Sequence, residues 1–168
     1  MEGTENEAKH CQTFEDLEVY QVAREFRKAM YRVAGRLPEE EKFALMNQMR
    51  RAAVSLTSNI AEGHGRFHFV EQIKFMLQSR GSLEELLDDL NVCQDQAHLP
   101  TEEIESLRHD GWRVHKLING YIWFLRRRVS GDSPRVREAT AIDPVGENEL
   151  EDLFPDDFNP SPLQHFNE

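Results

Sequence analysis

The chain has 168 residues, 39% hydrophobic and 30% charged, with a formal net charge of −11. That length favours one domain with a core of its own, and no apolar run approaches the roughly 20 residues that cross a bilayer, so a membrane role is not expected. Cys11 and Cys93 lie far apart in unrelated contexts, which argues against a zinc site or a disulfide framework and for a reducing cytoplasm.

Charge is unevenly spread: −2 over residues 1–13, −1 over 14–129 and −8 over 130–168. The body is near neutral and rich in arginine, so the sequence pI of about 5.1 does not by itself exclude a polyanionic partner. Residues 1–13 are polar and acidic, unlike a secretory leader, and read as a flexible arm.

The first helix opens at Thr13, where Thr13-x-x-Asp16 has the form of a capping box. Leu17, Tyr20, Ala23, Phe26, Met30, Val33 and Leu37 recur at gaps of three and four and predict one buried stripe. Arg24, Lys28, Arg32 and Arg36 recur every four residues on another face, as a solvated row or a binding surface. Gly35 and Pro38 stop this helix.

A second helix is expected over about 39–62, with Phe43, Met46, Met49, Ala53, Leu56 and Ile60 as its stripe. Beside it runs a polar row of Arg51, Ser55, Ser58, Asn59 and Glu62. Gly63-His64-Gly65 provides the reversal. The third helix spans about 67–96, with Val70, Ile73, Leu77, Leu83, Leu87 and Leu90 as its stripe and Met76 and Leu86 flanking. Gly81 falls mid-helix, at a cost of about 1 kcal/mol relative to Ala, which implies tight packing against another backbone. The fourth helix starts at Thr101 and carries Ile104, Leu107, Gly111, Val114, Ile118, Tyr121 and Leu125 inward. Arg126, Arg127 and Arg128 close it, where cations suit the helix dipole. Trp112, Trp123 and Phe124 lie off this stripe, so a second buried face, and hence self-association, is expected.

Four amphipathic helices with short connections predict an all-α, antiparallel up-down-up-down four-helix bundle over 14–129. Residues 130–168 are acidic and Pro-interrupted and read as a disordered tail. Within them, Glu149 to Phe158 places Leu150, Leu153, Phe154 and Phe158 among carboxylates, the composition of a protein-docking segment.

One stretch carries a family pattern. Leu37-Pro38, Gln48-Met49-Arg50-Arg51-Ala52-Ala53-Val54-Ser55, Ser58-Asn59-Ile60-Ala61-Glu62-Gly63, Gly65-Arg66 and Arg80-Gly81-Ser82-Leu83-Glu84-Glu85-Leu86 occur in that order. On these residues the chain, from about 14 to 128, resembles the bacterial four-helix-bundle proteins first noticed as products of intervening sequences in large-subunit ribosomal RNA genes. The resemblance implies a homo-oligomer, typically a barrel-like pentamer. It also covers a branch similar to the accessory protein of diversity-generating retroelements, which binds a reverse transcriptase and nucleic acid through a basic surface. The acidic tail is a departure from the short family pattern.

Arg51, Ser55, Asn59, Glu62 and Arg80 read as a structural polar network, since buried polar groups need partners. A catalytic cluster is the competing reading, but no nucleophile–base pair or phosphate loop accompanies it, so no catalytic residue, cofactor or metal is assigned. His64, His68 and Glu71 have ligand-like spacing, yet they straddle a glycine turn and read as exposed turn residues. In this topology one end of the bundle gathers His64 together with Arg66, His68, Arg126, Arg127 and Arg128, and the last five are taken as contacts. With Arg24, Lys28 and Arg32 they are the nucleic-acid-binding candidates, and Glu15, Asp16 and Glu18 offset part of their charge. Trp112, Trp123 and Phe124 are the oligomer-interface candidates. The expected function is a non-enzymatic adaptor for RNA or for a nucleic-acid enzyme such as a reverse transcriptase. The alternative is a protein scaffold recruited through its acidic tail, with no nucleic acid.

Overall fold

The computed structural model describes residues 13–130. Nearly all of the expected arm and tail, including the segment from Glu149 to Phe158, lies outside the described residues. Four helices follow one another: α1 (Glu18–Ala34), α2 (Leu45–His64), α3 (Phe69–Asp95) and α4 (Thr101–Val129). Two short 3-10 turns, Phe14–Asp16 and Glu39–Glu41, precede α1 and α2. No strand occurs among the described residues.

Each helix bonds to the next around the bundle. Arg27 Nη1 of α1 donates to Thr57 Oγ1 of α2 at 2.7 Å. Ser79 Oγ of α3 donates to the Leu56 carbonyl of α2 at 2.7 Å. Arg80 of α3 donates to Asn119 Oδ1 of α4 at 3.1 Å, and Arg36 beyond α1 pairs with Glu103 in the first turn of α4. The four stripes meet inside this ring. Phe26, Met30, Met49, Leu56, Ile60, Ile73, Leu83, Leu90, Ile104, Ile118 and Leu125 are all buried, each stabilising by roughly 1.5–3 kcal/mol against exposure. The fold is the expected antiparallel up-down-up-down bundle.

The helix starts follow local chemistry. Thr13 N–H donates to Asp16 Oδ2 at 3.0 Å, so the expected capping pair forms, but it closes a 3-10 turn ahead of α1. At the other end of the bundle, the α3–α4 connection turns at Ala97, whose φ of 53° is left-handed. His98 N–H donates back to the Cys93 carbonyl at 2.9 Å, the closure that a helix makes when the residue past its cap is left-handed.

Three expectations are corrected. Phe43 is not in the core: it is 87% exposed. The helix there is interrupted at Ala44 (φ −109°, ψ −105°), so the helical phase of α2 is set from Leu45, which is buried instead. On α3 the inward stripe runs through Met76 and Leu86, while Leu77 and Leu87 are half-buried at its edge. On α4, Ile122 takes the inward place expected of Tyr121.

The glycines also change roles. A Cβ at Gly81 would meet nothing within 4 Å, so this residue does not pack against a helix of its own bundle. The close crossings lie at Gly63 and Gly111. A Cβ at Gly63 would stand 2.9 Å from Phe75 Cβ, and one at Gly111 would stand 2.7 Å from Leu87 Cδ2. α2 runs on through Gly63 and His64, so the reversal begins two residues later than expected, at Gly65.

Asp89 is the buried charge of the bundle. It is 1% exposed; Gln48 Nε2 donates to its Oδ1 at 2.9 Å, and its Oδ2 is buried with no partner among the described residues. Burial first, then Asp88 and Glu85, pushes its pKa up from 3.8 to about 6, against the Gln48 bond. One turn on, burial raises the Cys93 thiol to about 11, so it stays protonated and acts as a small apolar group.

Two outcomes follow for stability. Gly63→Ala should destabilise the fold by about 1–3 kcal/mol through overpacking against a rigid Cβ, while Gly81→Ala should stabilise it by up to about 1 kcal/mol through helix propensity; urea denaturation of both variants measures this. For Asp89, the folded state binds its proton more tightly than the unfolded chain. Its contribution is therefore fully present below the ordinary value of 3.8 and is lost as pH rises through about 6. Asp89→Asn should melt higher than the wild type at pH 8, with the gap closing as pH falls from 6 to 4.

Candidate nucleic-acid interface

The turn between α2 and α3 is held rigidly. Arg66 N–H donates to the Gly63 carbonyl at 3.0 Å, and Gln72 Nε2 donates to the Arg66 carbonyl at 2.8 Å. The absence of a side chain at Gly63 lets α2 lie against Phe75, so this turn sits directly over the first turns of α3. α4 ends at the same end of the bundle, because Arg128 of its last turn lies 5.9 Å from the Phe69 ring centroid at the start of α3.

Arginines and aromatic rings alternate here. The Arg66 guanidinium lies 4.7 Å from the Phe75 ring and pairs with Glu62. Arg127 lies 4.8 Å from the Trp123 ring. Arg128 lies 4.6 Å from the Phe124 ring. Each such contact is worth about 0.5–1 kcal/mol at an exposed site. At Arg127 and Arg128 its larger consequence is to hold the guanidinium in place with no described carboxylate on its N–H edge. Arg127 and Arg128 pair with no carboxylate among the described residues, and Phe67, in the turn, is 91% exposed with His68 set edge-on at 5.2 Å.

The remaining expected nucleic-acid contacts divide. Arg126 is half-buried, and burial followed by the charge of Arg80 holds its pKa below the usual value. Arg24, Lys28 and Arg32 are exposed along α1 rather than in this cluster. Lys28 pairs with Glu25 at 2.6 Å, and that bond, opposed by desolvation and aided by the charges of Lys28, Arg24 and Arg32, lowers the Glu25 pKa.

The expected polar network divides into three separate groups, with Arg51 in none of them. Asn59 Nδ2 donates to Ser55 Oγ at 3.1 Å, and Ser82 Oγ donates to Ser55 Oγ at 2.8 Å, joining α2 to α3. Glu62 belongs with Arg66 at the turn. Arg80 belongs to neither; it faces α4, in a chain running Arg80, Asn119, His115 and Glu84. Because Asn119 Oδ1 accepts from Arg80, its amide donates to His115 Nδ1, which leaves the imidazole proton on Nε2, 3.4 Å from Glu84. Burial, opposed by Glu84 and aided by Arg80, lowers the His115 pKa. Arg51 is exposed and makes no hydrogen bond among the described residues; it lines an open groove of about 660 Å³ with Asn47, Gln48, Ser55, Ser82 and Glu85.

Of the three interface aromatics, Trp112 is 48%, Trp123 60% and Phe124 43% exposed. Trp123 lies three turns beyond Trp112 on one face of α4, about 16 Å along the helix. Phe124 stacks on Tyr121 at 5.9 Å. The rings that sequence reasoning missed are Phe67, Phe69 and Phe75. For Phe67 and Phe69 the signal was the run Arg66-Phe67-His68-Phe69, in which basic residue types and phenylalanines alternate. No group of metal-ligating side chains occurs among the described residues, and no described helix is long and apolar enough to cross a membrane.

Comparison with known proteins places this geometry. The family model described as 23S rRNA-intervening sequence protein matches residues 15–120, more than half of the chain. Among solved structures, a protein of unknown function from the S23 ribosomal protein family of Bacteroides thetaiotaomicron superposes with a TM-score of 0.58 at 22% identity, over 62% of this chain and 94% of that one. At that identity the likeness concerns the fold. No curated protein matches the sequence.

Proposed function

The chain belongs to the 23S rRNA-intervening sequence protein family, and on that premise we propose that it is a non-enzymatic, homo-oligomeric adaptor of the cytoplasm that binds RNA at the arginine–aromatic end of the bundle. The observation that carries this reading is the pair Arg127 and Arg128, each held over a ring and neither neutralised by a described carboxylate. A guanidinium held in this way is prepared for a phosphate, because less rotamer freedom is lost on binding. Membership of the family, through the resemblance in Arg50 to Gly63, supports a ring of subunits, with a pentamer as the expected form. The exposed tryptophan face of α4 supports self-association. A ring repeats the arginine end in each subunit, so weak contacts combine through effective concentration. A nucleic-acid enzyme such as a reverse transcriptase is the partner such an adaptor would serve.

Two measurements test this. Light scattering at roughly 20 μM, well above the ~1 μM dissociation constant of a moderately stable interface, should give an oligomer, and Trp112→Glu should reduce it to the monomer. A monomeric wild type would remove the assembly. Charge reversal of Arg127 and Arg128 should abolish RNA binding by the wild-type chain, whose affinity should fall with salt at a slope of about −0.7 per phosphate contacted. A protein partner retained after nuclease treatment, but lost on deletion of residues 131–168, would instead favour the scaffold reading.

A further inference from the structure

We infer that the RNA taken by this end is single-stranded, and that a base of it stacks on Phe67. This rests on the RNA reading above and names the class of RNA. Phe67 stands 91% exposed at the tip of a turn. A ring that contributes nothing to the core is ordinarily mobile, but here the backbone beneath it is tied at both sides, by Gln72 Nε2 to the Arg66 carbonyl before it at 2.8 Å and by Gln72 N–H to the His68 carbonyl after it at 3.1 Å. The ring is thus presented from a fixed platform, next to Arg66 and at the same end of the bundle as Arg127 and Arg128.

An exposed aromatic ring and two arginines without described carboxylate partners at one end of the bundle suit a strand whose bases are available. In an A-form duplex the bases stack on one another, and a protein reaches chiefly phosphates and 2′-hydroxyls. Duplex RNA would therefore engage the arginines and leave Phe67 unused. A single strand can place phosphates on the arginines and a base on the ring, and this stacking is worth about 1–3 kcal/mol per base with little sequence preference. Trp123 and Phe124, already covered in part by Arg127 and Arg128, act mainly by holding those arginines.

The test is fluorescence anisotropy of the full chain with a labelled, unstructured RNA strand and with the same strand in a duplex, at one salt concentration. The wild type should bind the single strand more tightly. Phe67→Ala should weaken single-strand binding about 5- to 150-fold, the equivalent of one lost stack, while leaving duplex binding unchanged, and Phe67→Trp should restore it. Phe67 is exposed, so the alanine variant should keep its circular dichroism and oligomeric state. Equal affinity of Phe67→Ala and wild type for the single strand, or tighter binding of the duplex by wild type, would overturn this inference and leave RNA binding standing. Binding of neither form by the wild type would overturn the RNA reading and this inference with it.

Discussion

The close crossing of α2 and α3 at Gly63 governs the end of the bundle that carries the arginines. With no side chain there, α2 continues to His64 within van der Waals reach of Phe75. Any Cβ would push the helices apart, because its first obstacle is another Cβ rather than the flexible end of a side chain. The turn from Gly65 to His68 inherits its position from this contact. So does the Arg66 guanidinium, which reaches the same Phe75 ring. One small residue therefore couples core packing to the placement of a cation and of the exposed Phe67.

The polar residues of the α2–α3 stretch do different work at different heights of the bundle. Near its middle, Ser55, Asn59 and Ser82 exchange hydrogen bonds across two helices beside the open groove. Lower down, Asp89 has one satisfied and one orphaned oxygen, and burial, with Asp88 and Glu85 nearby, shifts it toward its neutral form. Arg80, eight residues after Gln72 on α3, points the other way and joins α4 through Asn119. A linear run of polar residues is thereby divided among two interfaces and a turn.

Surface and core are also divided by small differences of helical phase. The interruption at Ala44 turns Phe43 outward. A shift of one position on α3 buries Met76 and Leu86 in place of Leu77 and Leu87. Both choices satisfy an apolar periodicity of three and four, so periodicity alone leaves them degenerate. The neighbouring helices select between them, since only one phase lets α3 face α2 and α4 together.

The amino-acid sequence by itself determined the class and order of the fold. Four stripes such as Ala23, Phe26, Met30 and Val33 each demand burial, breaks at Gly35, Gly65 and Pro100 separate them, and short connections force neighbours to run antiparallel. It also placed the basic helix ends together, because up-down topology alone decides which ends meet. Only the tertiary structure decided which glycine is a packing contact, that Arg80 serves α4 rather than α2, and that Arg66, Arg127 and Arg128 each lie over a ring. The reason is physical: a stripe is a property of one helix, repeated every few residues, whereas a contact between residues as distant as Phe69 and Arg128 depends on the rotation of two helices about their axes, which packing around the whole ring sets.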